Sequence, residues 1–331
     1  MARTLGLTGD VMLGRLVDDR QESRPPAAVW GHLAAHLRSL DALAINLECC
    51  LSTRGGKWTE TYRPFHFRAD PSWAVPALRE AGVDYASLAN NHLLDFGPVA
   101  LGDTVAALSD AGIAHAGAGE DERAARDPAV FALGDLTVAA VAFTDNTPEY
   151  AAGPDSPGVA RVEMDVDDAD ERRLVRETVD RARRHDPDLL VASLHWGPNM
   201  EAFPAEQYRR FGRWLTAAGV DLVHGHSAHV FQGVEVHEGG LILYDCGDFV
   251  DDYAVDDDLR NDRSFLFEVT VGDDGILREL RLRPTGIDDC AVHRAGGAVA
   301  AWCRERMRER SAPFGTADRF RRVDRGLALD L

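Results

Sequence analysis

Apolar and polar residues alternate along this chain with two distinct periods. Short runs rich in Val, Ile and Leu fall at 4–10 (TLGLTGD), 41–48 (DALAINLE), 83–91 (VDYASLANN), 137–145 (TVAAVAFTD), 188–197 (DLLVASLHWG) and 221–226 (DLVHGH), and each is expected to form a strand. Between them lie stretches of helical period at 25–40, 97–113, 165–186 and 204–220. The second of these has Pro98 just inside its start. The third runs from acidic to basic residues, the order a helix dipole favours. Near-continuous apolar strands alternating with helices predict an α/β fold with buried strands.

After residue 226 the pattern changes. A hairpin is expected over 232–248, turning at Glu238-Gly239-Gly240, and another over 264–284, turning at Asp273-Asp274-Gly275. A C-terminal helix is expected over about 294–310. Segments 50–70 and 248–264 read as long loops near the active face. There is no internal repeat or low-complexity linker, so residues 1–331 are read as one domain, a mixed sheet system with helices outside, its core motifs in 4–255.

The polar residues at the strand ends carry the chemistry. Asp10 ends the first strand and Glu48 the second. Asn91 and His92 follow the third, and His195 ends a later one. His224, His226 and His229 crowd into 221-DLVHGHSAHVFQG-233. In open α/β sheets, ligands bind beyond the carboxyl ends of the strands. Carboxylate, amide and imidazole donors suit Mn, Fe, Zn or Mg, whereas thiolates would point to zinc or iron–sulfur sites. Each residue alone has a plainer reading: Asp10 as a turn, Glu48 as a solvated strand end, Asn91 as a left-handed turn, His195 as a satisfied core histidine. Their repeated placement at strand ends is what favours a metal centre.

Composition narrows the partners. The chain has 55 acidic against 36 basic residues, a net charge of -19, which argues against a nucleic-acid surface. Five cysteines without CxxC spacing argue against a disulfide framework or a zinc knuckle, and suit a reducing compartment. No apolar run approaches the ~20 residues of a membrane span. The expectation is a cytoplasmic, soluble protein without a membrane segment.

Eight stretches, taken together, resemble a known family: GDVMLGR (9–15), AINLECCLS (44–52), RPFHFRADP (63–71), DYASLANNHLLDFG (84–97), GIAHAGAG (112–119), SLHWGPN (193–199), DLVHGHSAHVFQGVEV (221–236) and LILYDCGDFVDDY (241–253). The chain resembles the CapA-type poly-γ-glutamate capsule synthesis proteins, relatives of the calcineurin-like metallophosphoesterases. The resemblance implies a two-layer mixed β-sandwich flanked by helices. It implies one or two divalent transition-metal ions (Mn, Fe or Zn) held by Asp10, a bridging Glu48, Asn91, His195, His226 and His229. His92 would be the general acid, with Asp95 orienting it.

Three departures from the family pattern leave the number of ions open. Asp10-Val11-Met12 stands where Asp-x-His is usual, Glu48 replaces an Asp, and Ser227-Ala228-His229 stands where many relatives have His-Pro-His. His224 or His226 would then supply the absent imidazole. Arg15 and Arg68 are candidate anion clamps, structural arginines being the alternative. Trp196 is a candidate pocket wall, core packing being the alternative. Asp248, Asp251 and Asp252 read as a solvated acidic loop rather than a cation site. The function implied is a metal-dependent hydrolase in which an activated water attacks a phosphoester or a γ-glutamyl or peptide-like amide. The competing reading is a non-catalytic accessory protein that binds poly-γ-glutamate or a related anionic intermediate.

Overall fold

The structure is a computed structural model and describes residues 2–331. It is a mixed α/β fold with two large mixed sheets. In the ten-stranded sheet, Arg3–Val11, Ala42–Leu47, Tyr85–Ser87 and Ala114–Ala116 run parallel in that order. Antiparallel Arg263–Val271, Leu277–Asp288 and Gly326–Asp330 extend the sheet on the other side of Arg3–Val11. The six-stranded sheet has four parallel strands, Leu136–Thr144, Leu189–His195, Leu222–His226 and Gly240–Leu243, between antiparallel edges Ala129–Leu133 and Val234–His237.

The strands read as unbroken apolar runs because both of their faces are covered. Leu5, Leu7, Ala42, Ala44, Val138, Ala140, Val191 and Leu222, from both sheets, share one apolar cluster. Their alternating neighbours point the other way. Leu43, Ile45 and Leu47 pack with Leu78 and Leu108 of helices Pro71–Ala81 and Gly97–Ala111. Leu190, Ala192 and Leu194 pack with Val175, Phe211 and Leu215 of helices Ala169–Arg183 and Glu206–Ala217. Asp168 caps Ala169–Arg183 by accepting from the amides of Asp170 and Glu171, which fixes where that acidic-to-basic helix starts.

Both C-terminal hairpins and the C-terminal helix, Gly297–Ser311, are present. The helix expected over 25–40 is not continuous. A 3-10 stretch, Pro26–Leu33, breaks at Gly31 (φ 44°) before the short helix Ala34–Leu37. Strand Ala291–Arg294 packs so close that a Cβ on Gly31 would stand 2.4 Å from both His293 Nδ1 and the Val292 carbonyl. Helix Pro71–Ala81 was masked by two prolines in eleven residues; Pro71 sits in its first turn, where the missing N–H costs nothing. Segment 248–264 is not all loop, since Asp248–Val250 pairs parallel with the first strand. No helix among the described residues is long and apolar enough to cross a membrane.

One local irregularity positions the site. Leu7 pairs with Ala44 but Asp10 pairs with Asn46, so the first strand spends three residues against two. This bulge turns Asp10 to the same face as Leu5 and Leu7. Gly9 makes it possible, because the backbone of Gly247 passes over it. A Cβ on Gly9 would lie 1.6 Å from the Gly247 carbonyl oxygen. Gly9→Ala is therefore expected to cost about 3 kcal/mol or more, since backbone rather than a movable side chain blocks the methyl. Urea unfolding with an unchanged m-value would check it; a midpoint equal to wild type would contradict the packing.

Candidate metal centre

The polar cluster sits where the apolar layer shared by the two sheets ends. Along Leu189–His195 the inward residues are Leu189, Val191, Ser193 and His195. Along Leu222–His226 they are Leu222, His224 and His226. Register pairs Ser193 with His224 and His195 with His226, so apolar pairs give way to polar ones at the carboxyl ends of the strands. Ala42, Ala44, Asn46 and Glu48 do the same on the facing sheet, and Asp10 joins them through its bulge.

Two groups of donors result. Ligand atoms of Asp10, His195 and His226 lie within 4.8 Å of one another, as do those of Asp10, Glu48 and His229. The carboxylate common to both is Asp10, not Glu48. All five side chains are buried except for a partial exposure of His229. Asp10 Oδ2, Glu48 Oε1, Asn91 Oδ1, Asp248 Oδ2 and Asp251 Oδ2 are buried and accept no hydrogen bond. Unpaired buried carboxylate oxygens are costly, and carboxylates beside imidazoles are metal donors, so these residues could hold a metal ion.

Charge is unevenly distributed. Burial alone would raise the pKa of Asp10, but the imidazoles around it, with His229 Nδ1 3.5 Å from its Oδ2, hold it well below the usual carboxylate range. Burial and the nearby Asp10 push Glu48 up. Burial also pushes His195 down to about 3, which keeps the imidazole neutral and able to donate a lone pair.

His224 stands apart from both groups, one pleat deeper. Its Nε2 donates to the Thr8 carbonyl at 2.7 Å, so its Nδ1 is left to accept, and Ser193 Oγ is 3.2 Å away. With its proton committed there, Ser193 Oγ accepts from His226 Nε2 at 3.0 Å. The chain Thr8–His224–Ser193–His226 therefore leaves His226 Nδ1 unprotonated. That atom faces the cluster, 2.9 Å from His195 Nδ1 and 3.9 Å from Asp10 Oδ1. Asn46 Nδ2 donates to the other face of the cluster, to Asp10 Oδ1 at 2.7 Å.

His92 and Asp95 are brought together at the cluster's edge. His92 Nδ1 lies 2.6 Å from Asp95 Oδ2, and its Nε2 lies 4.0 Å from Glu48 Oε1. Asp95 also accepts from the Phe67 amide (2.7 Å) and the Tyr150 hydroxyl (2.9 Å). The Phe67 ring stacks on the His92 ring at 3.8 Å between centroids. Asn91 adjoins His92, and its carbonyl accepts from Arg63.

A pocket of about 300 Å³ opens onto His92 and His229, walled by Phe65, Phe67, Met200 and Tyr253. Arg15 lines it, held by Asp252 through Nε (3.1 Å) and Nη2 (2.9 Å). Arg68 does not line it; it lies over the Phe96 ring and donates to the Arg54 carbonyl. Trp196 faces the opposite way from His195, into the outer apolar cluster, where its Nε1 donates to the Tyr244 carbonyl. The acidic segment is not solvated. Asp248 and Asp251 are buried, and Asp248 Oδ1 lies 2.9 Å from His229 Nδ1. Burial pushes Asp251 up to about 6.

Sequence reasoning passed over Asn46, Arg63, Tyr150, Ser193 and Tyr253, whose hydroxyl donates to Glu48 Oε2 at 3.1 Å. Asn46 and Ser193 carried a usable signal, being polar residues on the strand face whose other members are buried apolar groups. The remaining three come from distant loops and carried none.

Residues 4–253 match the family model described as bacterial capsule synthesis protein PGA_cap. The chain is 33% identical over 359 residues to a probable polyglutamine synthesis accessory protein of Mycobacterium tuberculosis, covering 94% of this chain and 92% of that protein. It is 28% identical to the capsule biosynthesis protein CapA of Bacillus anthracis, over 75% of this chain and 60% of that protein. It is 26% identical to the PGA biosynthesis protein CapA of Bacillus subtilis, over 74% of this chain and 62% of that protein.

The hydrogen-bond chain separates the roles of two neighbouring histidines. His226→Ala is expected to abolish tight binding of added Zn or Mn. His224→Ala is expected to weaken it only about 10–100-fold, the usual consequence of losing an orienting partner. Isothermal titration of the chelator-treated protein with each metal reads the difference; equal loss in both variants would make His224 a ligand.

Proposed function

The chain belongs to the bacterial capsule synthesis (PGA_cap) family, and from that premise we propose that it is a metal-dependent hydrolase of metallophosphoesterase-like layering, acting as one domain. Its substrate would be a phosphoester or a γ-glutamyl or peptide-like amide. The observation that carries this reading is the pair of three-ligand groups sharing Asp10, with unpartnered carboxylate oxygens buried among them. Asp10, His195 and His226 would hold one ion. Asp10, Glu48 and His229 would hold a second, with Asn91 and Asp248 as further donors. Such an ion supplies Lewis acidity, lowering the pKa of water and offsetting charge that develops at the attacked centre.

The protein's own groups do the rest. Asp95 fixes His92 through Nδ1, so the proton available to a leaving group sits on Nε2, the nitrogen on the Glu48 side. Phe67 holds the imidazole plane and keeps water from one of its faces. Asp252 occupies Nε and Nη2 of Arg15, and Nη1 has no hydrogen-bond partner among the described residues, so it can orient one carboxylate or carbonyl of the substrate. With one arginine, already neutralised, and aromatic walls, the pocket suits a short substrate carrying at most one negative charge near the reacting bond.

The name of the mycobacterial relative motivates the competing reading of an accessory binder without turnover. Protein reloaded with Mn or Zn, assayed against an aryl phosphodiester and a γ-glutamyl anilide, distinguishes the two. Metal-dependent product release supports the hydrolase; metal-loaded protein that binds γ-glutamyl oligomers yet releases nothing supports the binder. His92→Ala is expected to lower kcat by about 10²–10⁴-fold with metal content unchanged. Unaltered kcat would remove His92 from the reaction.

A further inference from the structure

The end of the chain carries a different charge from the rest. From strand Leu277–Asp288 onward, 12 arginines stand against 8 acidic residues, a balance of +4. Residues 1–276 hold 24 basic against 47 acidic residues, a balance of -23. This local excess of positive charge lies beyond the segment matched by the family model.

Strand geometry gathers part of it on one face. Leu280 and Leu282 point into the cluster shared by the two sheets, so Arg281 and Arg283 point to the opposite face. Thr285 has the same parity and pairs in register with Arg294, which places Arg294 on that face too. Arg325, from the turn between Arg321–Val323 and Gly326–Asp330, donates to the Ala295 carbonyl at 3.3 Å and closes the group. The four arginines line a pocket of about 410 Å³ whose apolar surface comes from Leu33, Pro284 and neighbours.

Their charges are incompletely matched. Arg283 uses Nε on Glu268 (2.5 Å), and Arg281 uses one Nη2 contact to Glu279 (3.2 Å). Glu268 is shared with His36, and Glu279 with Arg321. The Arg294 guanidinium has no hydrogen-bond or ion-pair partner among the described residues, and that of Arg325 meets only the Ala295 carbonyl. Asp324 is the one acid in the lining and is exposed. A second arginine-lined hollow, at Arg123, Arg126, Arg181 and Arg184, differs in this respect. Glu177 and Asp180 stand in its wall, and Glu122 and Asp127 pair with Arg126 and Arg181.

We propose that the pocket of Arg281, Arg283, Arg294 and Arg325 is a binding site for a ligand bearing two or more carboxylate or phosphate groups. Guanidinium forks suit both chemistries. On a protein otherwise strongly acidic, this face is where an oligoanion meets least repulsion. None of these arginines lines the pocket beside His92 and His229, so the site stands whether or not the metal cluster turns over substrate. A polyanion too highly charged for the aromatic pocket would be held here by segments away from any reacting bond.

Calorimetric titration with tri-γ-glutamate, inorganic tripolyphosphate and acetate tests this, at low and at raised ionic strength. The two oligoanions are the competing sources of the same chemistry, and acetate is the monovalent control. Binding of at least one oligoanion, weakened by salt, is expected. It should fall about tenfold or more in Arg294→Ala/Arg325→Ala and be lost in Arg294→Glu. Both side chains are exposed, so unfolding midpoints should match wild type. Preference for tri-γ-glutamate would assign the site to acidic polymer, and preference for tripolyphosphate to phosphate chains. No binding of either, or binding untouched by the variants, would overturn the proposal. Turnover by the metal-loaded variants, measured in parallel, should equal wild type, which keeps this result separate from the fate of the hydrolase reading.

Discussion

The fully buried carboxylate of Asp10 is the charge around which the rest of this fold is arranged. Moving a carboxylate from water into a protein interior costs on the order of several kcal/mol even after relaxation. Here three imidazoles and an asparagine amide converge on it. Their positions depend on both sheets at once. The first strand must bulge to face Asp10 inward, Asn46 must lie opposite it, and two strands of the other sheet must end in register at His195 and His226. The glycine contact between Gly9 and Gly247 is the steric condition for that arrangement. Other carboxylates, Glu48, Asp248 and Asp251, are buried around the same point with oxygens unpaired. Carboxylate oxygens gathered unpaired in one buried place are groups that could hold a cation.

Around that cluster the structure separates the jobs of adjacent residues. His226 offers a lone pair to the cluster, while His224 spends both nitrogens on Thr8 and Ser193 and thereby fixes which nitrogen His226 offers. His195 faces the cluster and Trp196 faces the outer core, because successive residues at a strand end point to opposite faces. Arg15 reaches the pocket and Arg68 does not. Asp95, engaged by four groups, is a hub that orients His92 rather than a ligand.

The parallel strands were legible because burial of both faces writes itself into long apolar runs, and three of their covering helices through helical period; the fourth, Pro71–Ala81, was hidden by its two prolines. Strand-end residues Asp10, Glu48, His195 and His226 were legible for a related reason, a polar group closing an apolar run. Gly31 broke an expected helix because a strand more than 250 residues away packs against it. Asp248, Asp251 and Asp252 looked like a solvated loop because nothing local shows that a segment rich in acid is folded against imidazoles.

By itself, then, the sequence determined the α/β class, the order of the main strands and the kinds of donor at their ends. Those features follow from periodicity, which is a property of neighbours along the chain. Tertiary structure alone decided which carboxylate is common to both donor groups, which histidine donates and which orients, and where the C-terminal arginines gather. Each of these depends on which strand lies beside which and in what register. A bulge of one residue, or a proton placed by the Thr8 carbonyl, is enough to reassign a side chain from one role to another.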